Sequence, residues 1–256
     1  PFIYNSLYLK IMSLKINTVR NVEENKIKNY VLFSDENFHI KSLNNLSLGK
    51  DSAKINQTIK NNVLKDKNFL LFNLNPNQKI LLVKIKNANT SLENEKIGAE
   101  FYNFVKKNSL YSVTIFDINF YNFNKKNKFF LEEFLHGATL KSYEFKKYIT
   151  KKKDKIFEIE IVDKKRSNKI IKNNRFNSLI NGISFTKDLV SEPGNILHPD
   201  EYAKRILQLR KTGLKVEVYD EKKLKKLGMN ALLGVGQGSI RGSYLVTIEW
   251  KGLKNN

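Results

Sequence analysis

A fixed break between two helical segments constrains this chain more than any other stretch. Residues 179–192 carry an apolar stripe at helical spacing, formed by Leu179, Ile183 and Val190. Pro193 and Gly194 then end the helix near Glu192, because proline restricts the residue before it and glycine tolerates a positive φ. The chain is therefore expected to turn here into a new element.

A second helix is expected to begin directly after this break, at Pro199. His198 occupies the N-cap position, and proline suits the first helical position, where its missing N–H would have no partner. Asp200 and Glu201 place negative charge at the positive end of the helix dipole. Residues 185–203 are thus predicted to form a joint between two helices.

Upstream of this joint, short apolar or alternating runs predict strands separated by polar loops. These runs lie at residues 13–19, 30–33, 69–72, 80–85, 111–116 and 156–162. Thr90 and Glu93 have the spacing of a capping box, which opens a helix. Its apolar face consists of Ile97, Phe101, Phe104 and Val105. Strands that alternate with helices predict α/β layering.

Two further elements complete the first part of the chain. A helix is predicted from Phe129 to about Leu140, and its inward-facing residues are Phe130, Leu131, Phe134 and Leu135. The strand at 156–162 is predicted to be half buried. Its apolar face consists of Phe157, Ile159 and Ile161, whereas Glu158 and Glu160 are expected to face solvent.

Downstream of the joint, helix and strand patterns alternate again. The buried stripe of the second helix is predicted to be Tyr202, Ile206 and Leu209, with a stop at Gly213. A strand follows at 214–219. Asp220 can cap a helix that carries Leu224 and Leu227 and ends at Gly228, and another strand follows at 244–250. This part is therefore also predicted to be α/β.

The length of 256 residues fits two ordinary domains. We predict an N-terminal α/β domain at 1–162, a linker at 163–177 that leads into a helix, and a second α/β segment at 178–256. Met12 precedes the first strand pattern and is a candidate natural start. No run has the length of a membrane span, and residues 1–10 lack the pattern of a signal peptide.

The formal net charge of +21 raises the question of nucleic-acid binding. Lysines are spread over the whole chain, which favours an ordinary solvated surface. Only the region from Lys146 to Arg175 concentrates basic residues, at 151–153 and 164–166, and no recognition motif accompanies it. A nucleic-acid partner therefore stays an alternative with weak support.

No catalytic, metal-binding or substrate-binding residue can be assigned from the patterns present. The chain has no cysteine, which excludes disulfides, thiolate metal sites and a cysteine nucleophile. His39, His136 and His198 lack metal-ligand spacing. The loop 234–239 lacks both the dinucleotide and the Walker pattern and is interpreted as a tight turn at the sheet edge. Ser184, Ser191 and Ser239 have no nucleophile-elbow context.

Four segments resemble the leucyl aminopeptidase (cytosol aminopeptidase) family. Lys187-Asp-Leu-Val-Ser-Glu-Pro-Gly-Asn-Ile-Leu-His-Pro-Asp-Glu201 is similar to the segment that opens that family's catalytic domain. Residues 213–220 and 227–239 resemble the strand, helix and Val-Gly-Gln-Gly-Ser loop that follow. Residues 134–145 are similar to a pattern near the end of the N-terminal domain, with Leu135-His136 in place of the usual Glu.

The resemblance implies a macro-like N-terminal α/β domain followed by the incomplete start of an α/β metallopeptidase domain. For the intact protein it implies release of N-terminal residues from peptides in the cytoplasm, two bridging divalent cations of manganese or zinc, and a homo-hexamer. The family's metal ligands all follow the Val-Gly-Gln-Gly-Ser loop. This chain is therefore expected to be an inactive N-terminal fragment that binds no metal, with exposed apolar surface and a tendency to self-associate.

Two alternatives to an aminopeptidase fragment stay open at the level of sequence. The chain could be a non-enzymatic basic protein that binds nucleic acid through the region from Lys146 to Arg175. It could also be a degenerate gene product without a present function, a hypothesis compatible with its abundance of Lys, Asn and Ile.

Overall fold

The structure is a computed structural model, and it describes residues 13–40, 43, 47–62, 67–86, 89–116, 129–150, 155–163 and 174–252. The chain forms two compact units, one at Tyr8–Ser184 and one built mainly from Phe185–Asn256. The predicted linker at 163–177 falls largely on residues 164–173, which lie outside the described ranges. The predicted domain boundaries therefore stay predictions.

The first unit contains a six-stranded sheet in the order β1-β6-β5-β2-β4-β3. The strands are β1 (Leu14–Val19), β2 (Asn29–Ser34), β3 (Phe69–Asn75), β4 (Gln78–Lys84), β5 (Ser112–Phe116) and β6 (Phe157–Val162). Only β3 runs antiparallel to its neighbour, and the other pairs are parallel. All six strands coincide with predicted ones, so the prediction of an α/β fold is confirmed.

Helices cover both faces of this sheet. They are α1 (Ser52–Asn62) on one face and α2 (Ser91–Lys107) and α3 (Phe130–Lys141) on the other. The unit also contains the beginning of α4 (Asn174–Ser191) and short 3-10 segments at Glu24–Lys26 and Ser47–Asp51. The predicted capping box is present, since Thr90 Oγ1 accepts from the Glu93 N–H and Glu93 accepts from the Thr90 N–H. Helix α1 was not predicted, because only Ile55 and Ile59 mark its buried side.

The core of the first unit consists of two apolar clusters, one on each face of the sheet. Phe33 of β2 belongs to the cluster beneath α2 and α3, whereas Leu32, its neighbour on the same strand, belongs to the cluster beneath α1. Parallel strands buried on both faces have this pattern, because successive side chains point to opposite faces. The inward residues predicted for α3 are confirmed, since all four are buried.

Strand β6 lies inside the sheet, between β1 and β5. Its predicted apolar face is confirmed, because Phe157, Ile159 and Ile161 belong to the core cluster beneath α2 and α3. Glu158 is exposed and pairs with Lys15 at 3.5 Å, whereas Glu160 is only partly exposed. Glu160 is therefore less hydrated than the sequence predicted.

Helices α2 and α3 pack closely because each has a glycine at the contact. A Cβ on Gly98 would lie 1.9 Å from the carbonyl oxygen of Phe134, and a Cβ on Gly137 would lie 1.9 Å from that of Glu95. The buried carboxylate of Glu133 accepts from Ser91 Oγ at 2.6 Å and from Asn94 Nδ2 at 2.7 Å. A side chain larger than hydrogen at either glycine would force the helices apart.

The second unit contains a two-stranded antiparallel sheet and short helices. Its elements are the end of α4, α5 (Pro199–Leu207), a 3-10 segment (Gln208–Thr212), β7 (Lys215–Tyr219), α6 (Glu221–Lys226), α7 (Asn230–Gly236) and β8 (Leu245–Glu249). The predicted cap at Asp220 is confirmed, since its side chain accepts from the Lys223 N–H. Gly213 and Gly228 have positive φ values of 92° and 72° and terminate their segments as predicted.

Three predicted apolar positions in these helices are exposed in the structure. Leu179 and Val190 of α4 are exposed, and the position buried near the helix end is Leu189. In α5, Tyr202 is exposed, whereas Ala203 and Ile206 are buried. Helical periodicity identifies neighbouring apolar side chains, but it does not determine which of them another element covers.

Candidate functional site at the helix joint

The joint between α4 and α5 has the geometry predicted from its Pro-Gly break. Helix α4 ends at Ser191, and the Pro193 carbonyl accepts from the N–H groups of Ile196 and Leu197 at 2.9 Å each. His198 is the N-cap of α5, with extended backbone, and Pro199 is its first residue. These backbone hydrogen bonds hold the break in one conformation.

A three-residue ion network ties α5 to the end of α4. Arg205 Nη1 lies 2.7 Å from a Glu192 carboxylate oxygen, and its Nε lies 3.0 Å from one of Glu201. The Glu192 side chain is only 2% exposed, whereas that of Arg205 is 18% exposed. Hydrogen bonding to Arg205 lowers the pKa of Glu201. The network neutralises a buried carboxylate and fixes the angle between the helices, which is a positioning role.

A second polar contact lies at the N-terminus of α5. His198 Nδ1 is hydrogen-bonded to Asp200, and the guanidinium of Arg241 lies 3.8 Å from the other oxygen of that carboxylate. Desolvation opposes ionisation of Asp200, but the hydrogen bond with His198 and the charge of Arg241 outweigh it and lower its pKa. The contact joins the start of α5 to the loop before β8.

The glycine-rich loop at 234–239 is only partly the turn that the sequence predicted. Gly234 and Gly236 belong to the last turn of α7, and the turn proper begins at Gln237. Ser239 N–H donates to the Gly236 carbonyl at 3.0 Å, and Ser239 Oγ accepts from the Arg241 N–H at 3.0 Å. The interpretation as a turn over the whole loop was wrong because the preceding Asn-Ala-Leu-Leu run extends the helix into it.

Each of the three histidines faces one carboxylate. His39 lies 3.4 Å from Asp35, His136 lies 3.0 Å from Glu95, and His198 contacts Asp200. Among the described residues, no group of three or more His, Asp or Glu side chains is arranged to hold a metal ion. That part of the chain therefore does not fit the two-cation centre that the sequence resemblance implies for the intact family.

The basic region from Lys146 to Arg175 is described only in part. Its two lysine clusters, at 151–153 and 164–166, lie outside the described residues. Of the others, Lys146 pairs with Glu144 at 2.5 Å, and Lys155 donates to the Tyr111 hydroxyl at 2.8 Å. These contacts tie basic side chains to the protein's own groups, so they do not favour nucleic-acid binding.

No helix among the described residues is long and apolar enough to cross a membrane.

Sequence reasoning missed Arg205, although a signal for it exists. Glu201 and Arg205 have the i, i+4 spacing of a helical ion pair. The contact with Glu192 spans 13 residues and a turn, so only the three-dimensional structure shows that this carboxylate is buried against the same guanidinium.

Comparisons with known proteins match the C-terminal part of the chain to one family. Residues 184–256 match the catalytic-domain model of the cytosol aminopeptidase family. A probable cytosol aminopeptidase of Phytoplasma mali (strain AT) is 44% identical over 128 residues, which cover 48% of this chain and 26% of that protein. One from Afipia carboxidovorans is 42% identical over 125 residues, 46% of this chain and 25% of that protein. The matched segment thus spans about a quarter of these relatives.

Solved structures share the fold over nearly the whole chain. A mutant tomato leucine aminopeptidase superposes with a TM-score of 0.67 at 16% identity, over 92% of this chain and 50% of that one. The bottromycin maturation enzyme BotP gives a TM-score of 0.60 at 15% identity, over 86% of this chain and 45% of that one. A structure of BotP in complex with Mn gives 0.55 at 16% identity, over 87% and 44%. At these identities the likeness shows the fold alone.

Proposed function

We propose that the chain is the N-terminal portion of a metal-dependent leucyl aminopeptidase, because residues 184–256 match the catalytic-domain model of the cytosol aminopeptidase family. The intact protein would release N-terminal residues, preferentially leucine and similar apolar ones, from peptides. The observation that carries the proposal is the 44% identity over 128 residues to a protein named as a probable cytosol aminopeptidase.

The cofactor of the intact protein would be a pair of divalent cations, manganese or zinc. A structure of BotP with the same fold was solved with Mn, which supports this choice. When bound, such cations would polarise the peptide carbonyl and lower the pKa of a water molecule that attacks it. The described residues hold no matching ligand group, so the ligands would belong to the part of the relatives that follows the glycine-rich loop. Cytoplasmic location and a homo-hexamer belong to the same proposal.

The described residues would contribute the scaffold of the catalytic domain. The Glu192–Arg205–Glu201 network sets the angle between α4 and α5, and the contact of Asp200 with Arg241 links α5 to the segment before β8. Each of these side chains forms an ion pair with another side chain of the protein. None of them is proposed to touch the substrate.

The 256-residue chain by itself would be inactive, and a hydrolysis assay tests this. The purified chain is incubated with a leucine anilide substrate and added Mn²⁺ or Zn²⁺, beside the intact aminopeptidase of a relative as a positive control. We expect turnover from the control and none from this chain. Metal-dependent turnover that survives repurification and is abolished by a chelator would contradict the proposal that the chain is inactive.

The enzyme assignment itself is tested by the coding sequence. We expect the reading frame to continue past Asn256 into a segment with a Gly-Lys-Gly motif and downstream Asp and Glu ligands. A stop codon directly after Asn256 would overturn the aminopeptidase proposal for this gene product, because no described residue cluster could hold the metal ions.

A further inference from the structure

A cluster of polar side chains at the beginning of β5 and β6 points to a chemical role that does not depend on the proposed peptidase activity. We propose that Tyr111 is a nucleophilic site whose phenolic oxygen is acylated by activated acyl donors, a class that includes acyl phosphates and thioesters. Tyr111 directly precedes β5, and Lys155 lies two residues before β6, the neighbouring strand. The Nζ of Lys155 donates to the Tyr111 hydroxyl oxygen at 2.8 Å. An ammonium group is thus bonded to the oxygen that would react.

Ser109 supplies a second hydrogen bond to the same oxygen through its side chain. Its backbone has a φ of 55°, a left-handed conformation in which glycine is usual at the end of a helix. The Ser109 N–H donates to the Lys106 carbonyl at 3.2 Å, which helps to hold this conformation. A serine at this position accepts backbone strain and places a hydroxyl beside Tyr111, which a glycine could not do.

The ring of Tyr111 is held in place, although the residue is only partly buried. Its centroid lies 5.1 Å from that of Phe157, which is 5% exposed. The Tyr111 carbonyl accepts from the Glu158 N–H at 2.7 Å, and the Tyr111 N–H donates to the Ser109 carbonyl at 3.1 Å. Tyr111 is partly exposed and Lys155 is exposed. An acyl donor could therefore approach from solvent while the ring and the main chain stay fixed.

Both hydrogen bonds stabilise the ionised form of the phenol. The bond from Lys155, and then the bond from Ser109, lower the pKa of Tyr111, and they outweigh desolvation, which acts in the opposite direction. Lys155 is the charged group that acts on this phenol. A lowered pKa means that more phenolate is present at a given pH. The gain in phenolate exceeds the loss in nucleophilicity of each phenolate, as it does for thiolates.

Tyr219 of β7 is the opposite case. Its hydroxyl donates to a Glu217 carboxylate oxygen at 2.6 Å, and this bond raises the pKa of Tyr219. The carboxylate favours the neutral phenol, so Tyr219 should be a poor nucleophile at the same pH. Like Tyr111, Tyr219 is partly exposed. The chain therefore contains a matched reference, in which the phenol is bonded to a carboxylate and not to an ammonium group.

The proposed step is an acyl transfer to the Tyr111 phenolate. The phenolate oxygen attacks the acyl carbonyl carbon, and a bond forms between the two atoms. The bond between that carbon and the leaving group breaks, and the leaving group departs with its electron pair. The phenol proton passes to solvent, whereas Lys155 stays protonated and stabilises the phenolate. The product is an ester on Tyr111, and the step needs no oxidant or reductant.

Limited acetylation of the chain with N-acetylimidazole, followed by peptide mass mapping, tests the proposal. We expect Tyr111 to be acetylated at least roughly threefold faster than Tyr219 near neutral pH, because its phenolate fraction is larger. Hydroxylamine should then remove the acetyl group, since it cleaves a tyrosine ester and not a lysine amide. Equal rates at the two tyrosines, or a hydroxylamine-stable acetyl group on Lys155 in place of the ester, would overturn the proposal.

Substitution of the two hydrogen-bond donors separates this role from a structural one. Lys155→Met should slow acetylation of Tyr111 at least roughly threefold, whereas Lys155→Arg keeps the cation and should keep most of the rate. Ser109→Gly should slow it by less and should raise the melting temperature, because glycine accepts the positive φ. Lys60→Met, on α1, is the matched control and should leave the rate unchanged. An unchanged rate in Lys155→Met, or an equal loss in Lys60→Met, would contradict the role of Lys155.

Discussion

The two units of the chain differ in how completely their apolar side chains are covered. In the first unit, helices cover both faces of a six-stranded sheet, and central residues such as Leu32, Phe33 and Leu82 are fully buried. In the second unit, the buried apolar residues are Leu189, Ala203, Ile206, Val216 and Leu224. Its exposed large apolar residues are Val190, Tyr202, Leu227, Leu232, Val235, Ile240, Ile248 and Trp250.

The difference shows that correct local structure does not require a complete core. Helices and strands of the second unit begin and end at the expected caps, and specific polar contacts hold them. Arg205 donates a hydrogen bond to Glu192, and Arg210 Nε donates to the Val216 carbonyl at 2.7 Å. The side chain of Asp220 caps α6. Polar contacts specify geometry, whereas most of the free energy of folding comes from burial of apolar surface.

The largest expected difference in the free energy of unfolding is between two truncations to alanine, one in each unit. Phe134→Ala, in the centre of the first core, should reduce the free energy of unfolding by about 3–5 kcal/mol. Val235→Ala removes an exposed side chain of the second unit and should change it by less than about 0.5 kcal/mol. Urea unfolding monitored by circular dichroism measures both. Similar losses for the two variants would remove the distinction between the units.

Breaking the buried ion network should have the next largest effect. Arg205→Met leaves the buried Glu192 carboxylate without its guanidinium partner, which we expect to cost about 3 kcal/mol. The loss should appear in the second unit only, as faster hydrogen exchange in α5 and β7. The double variant Glu192→Gln, Arg205→Met should recover part of the loss. An Arg205→Met variant as stable as the unmodified chain would refute a positioning role for this network.

Glycine substitutions compare a crowded site with an open one. Gly98→Ala places a methyl group against the backbone of α3 and should destabilise the first unit by about 1–3 kcal/mol. Gly182→Ala, in α4, meets nothing within 4 Å. It should stabilise the helix by up to about 1 kcal/mol, because alanine favours helix over glycine. Thermal unfolding shows whether each variant is more or less stable than the unmodified chain. A change in the same direction for both variants would contradict the packing described for α2 and α3.

The smallest expected change in stability comes from removing an ion pair of the first unit, and this change should depend on pH. Hydrogen bonds from Lys106, then from Lys146, lower the pKa of Glu144. A lowered carboxyl pKa adds stability above the unfolded value of about 4.3, and this stability is lost as the pH falls through the folded value. Lys106→Met should thus cost less than about 1 kcal/mol at neutral pH. At pH 3 the cost should shrink, whereas the control Lys107→Met should show no such change.

The sequence predicted the strands of both units, because each is a short apolar or alternating run. It also predicted α2 and α3, whose aromatic residues repeat at helical spacing. Helix α1 was missed, because it has only two apolar residues on its buried side. Helix α7 was implied by the family resemblance alone, because glycines obscure its end. Val190 and Tyr202 were predicted to be buried but are exposed. Helical periodicity identifies the apolar face of a helix, but it carries no information about which element packs against that face.

Less of the candidate site could be predicted than of the fold. The break at Pro193 and the cap at His198 follow from local backbone preferences, so the sequence reveals them. The Glu192–Arg205 contact joins residues on two helices, and its burial depends on how those helices pack. Tertiary contacts of this kind leave no periodic signal in the sequence.

Amide hydrogen exchange on the intact chain tests the difference between the two units most directly. At dilutions that keep the chain monomeric, we expect amides of β2 and β4, such as Leu32 and Leu82, to exchange only on global unfolding of the first unit. Amides of β7 and β8, such as Val218 and Val246, should exchange at least roughly a hundredfold faster through local opening. Equal protection of both sheets would show that the second unit is as well supported as the first, and it would contradict the account.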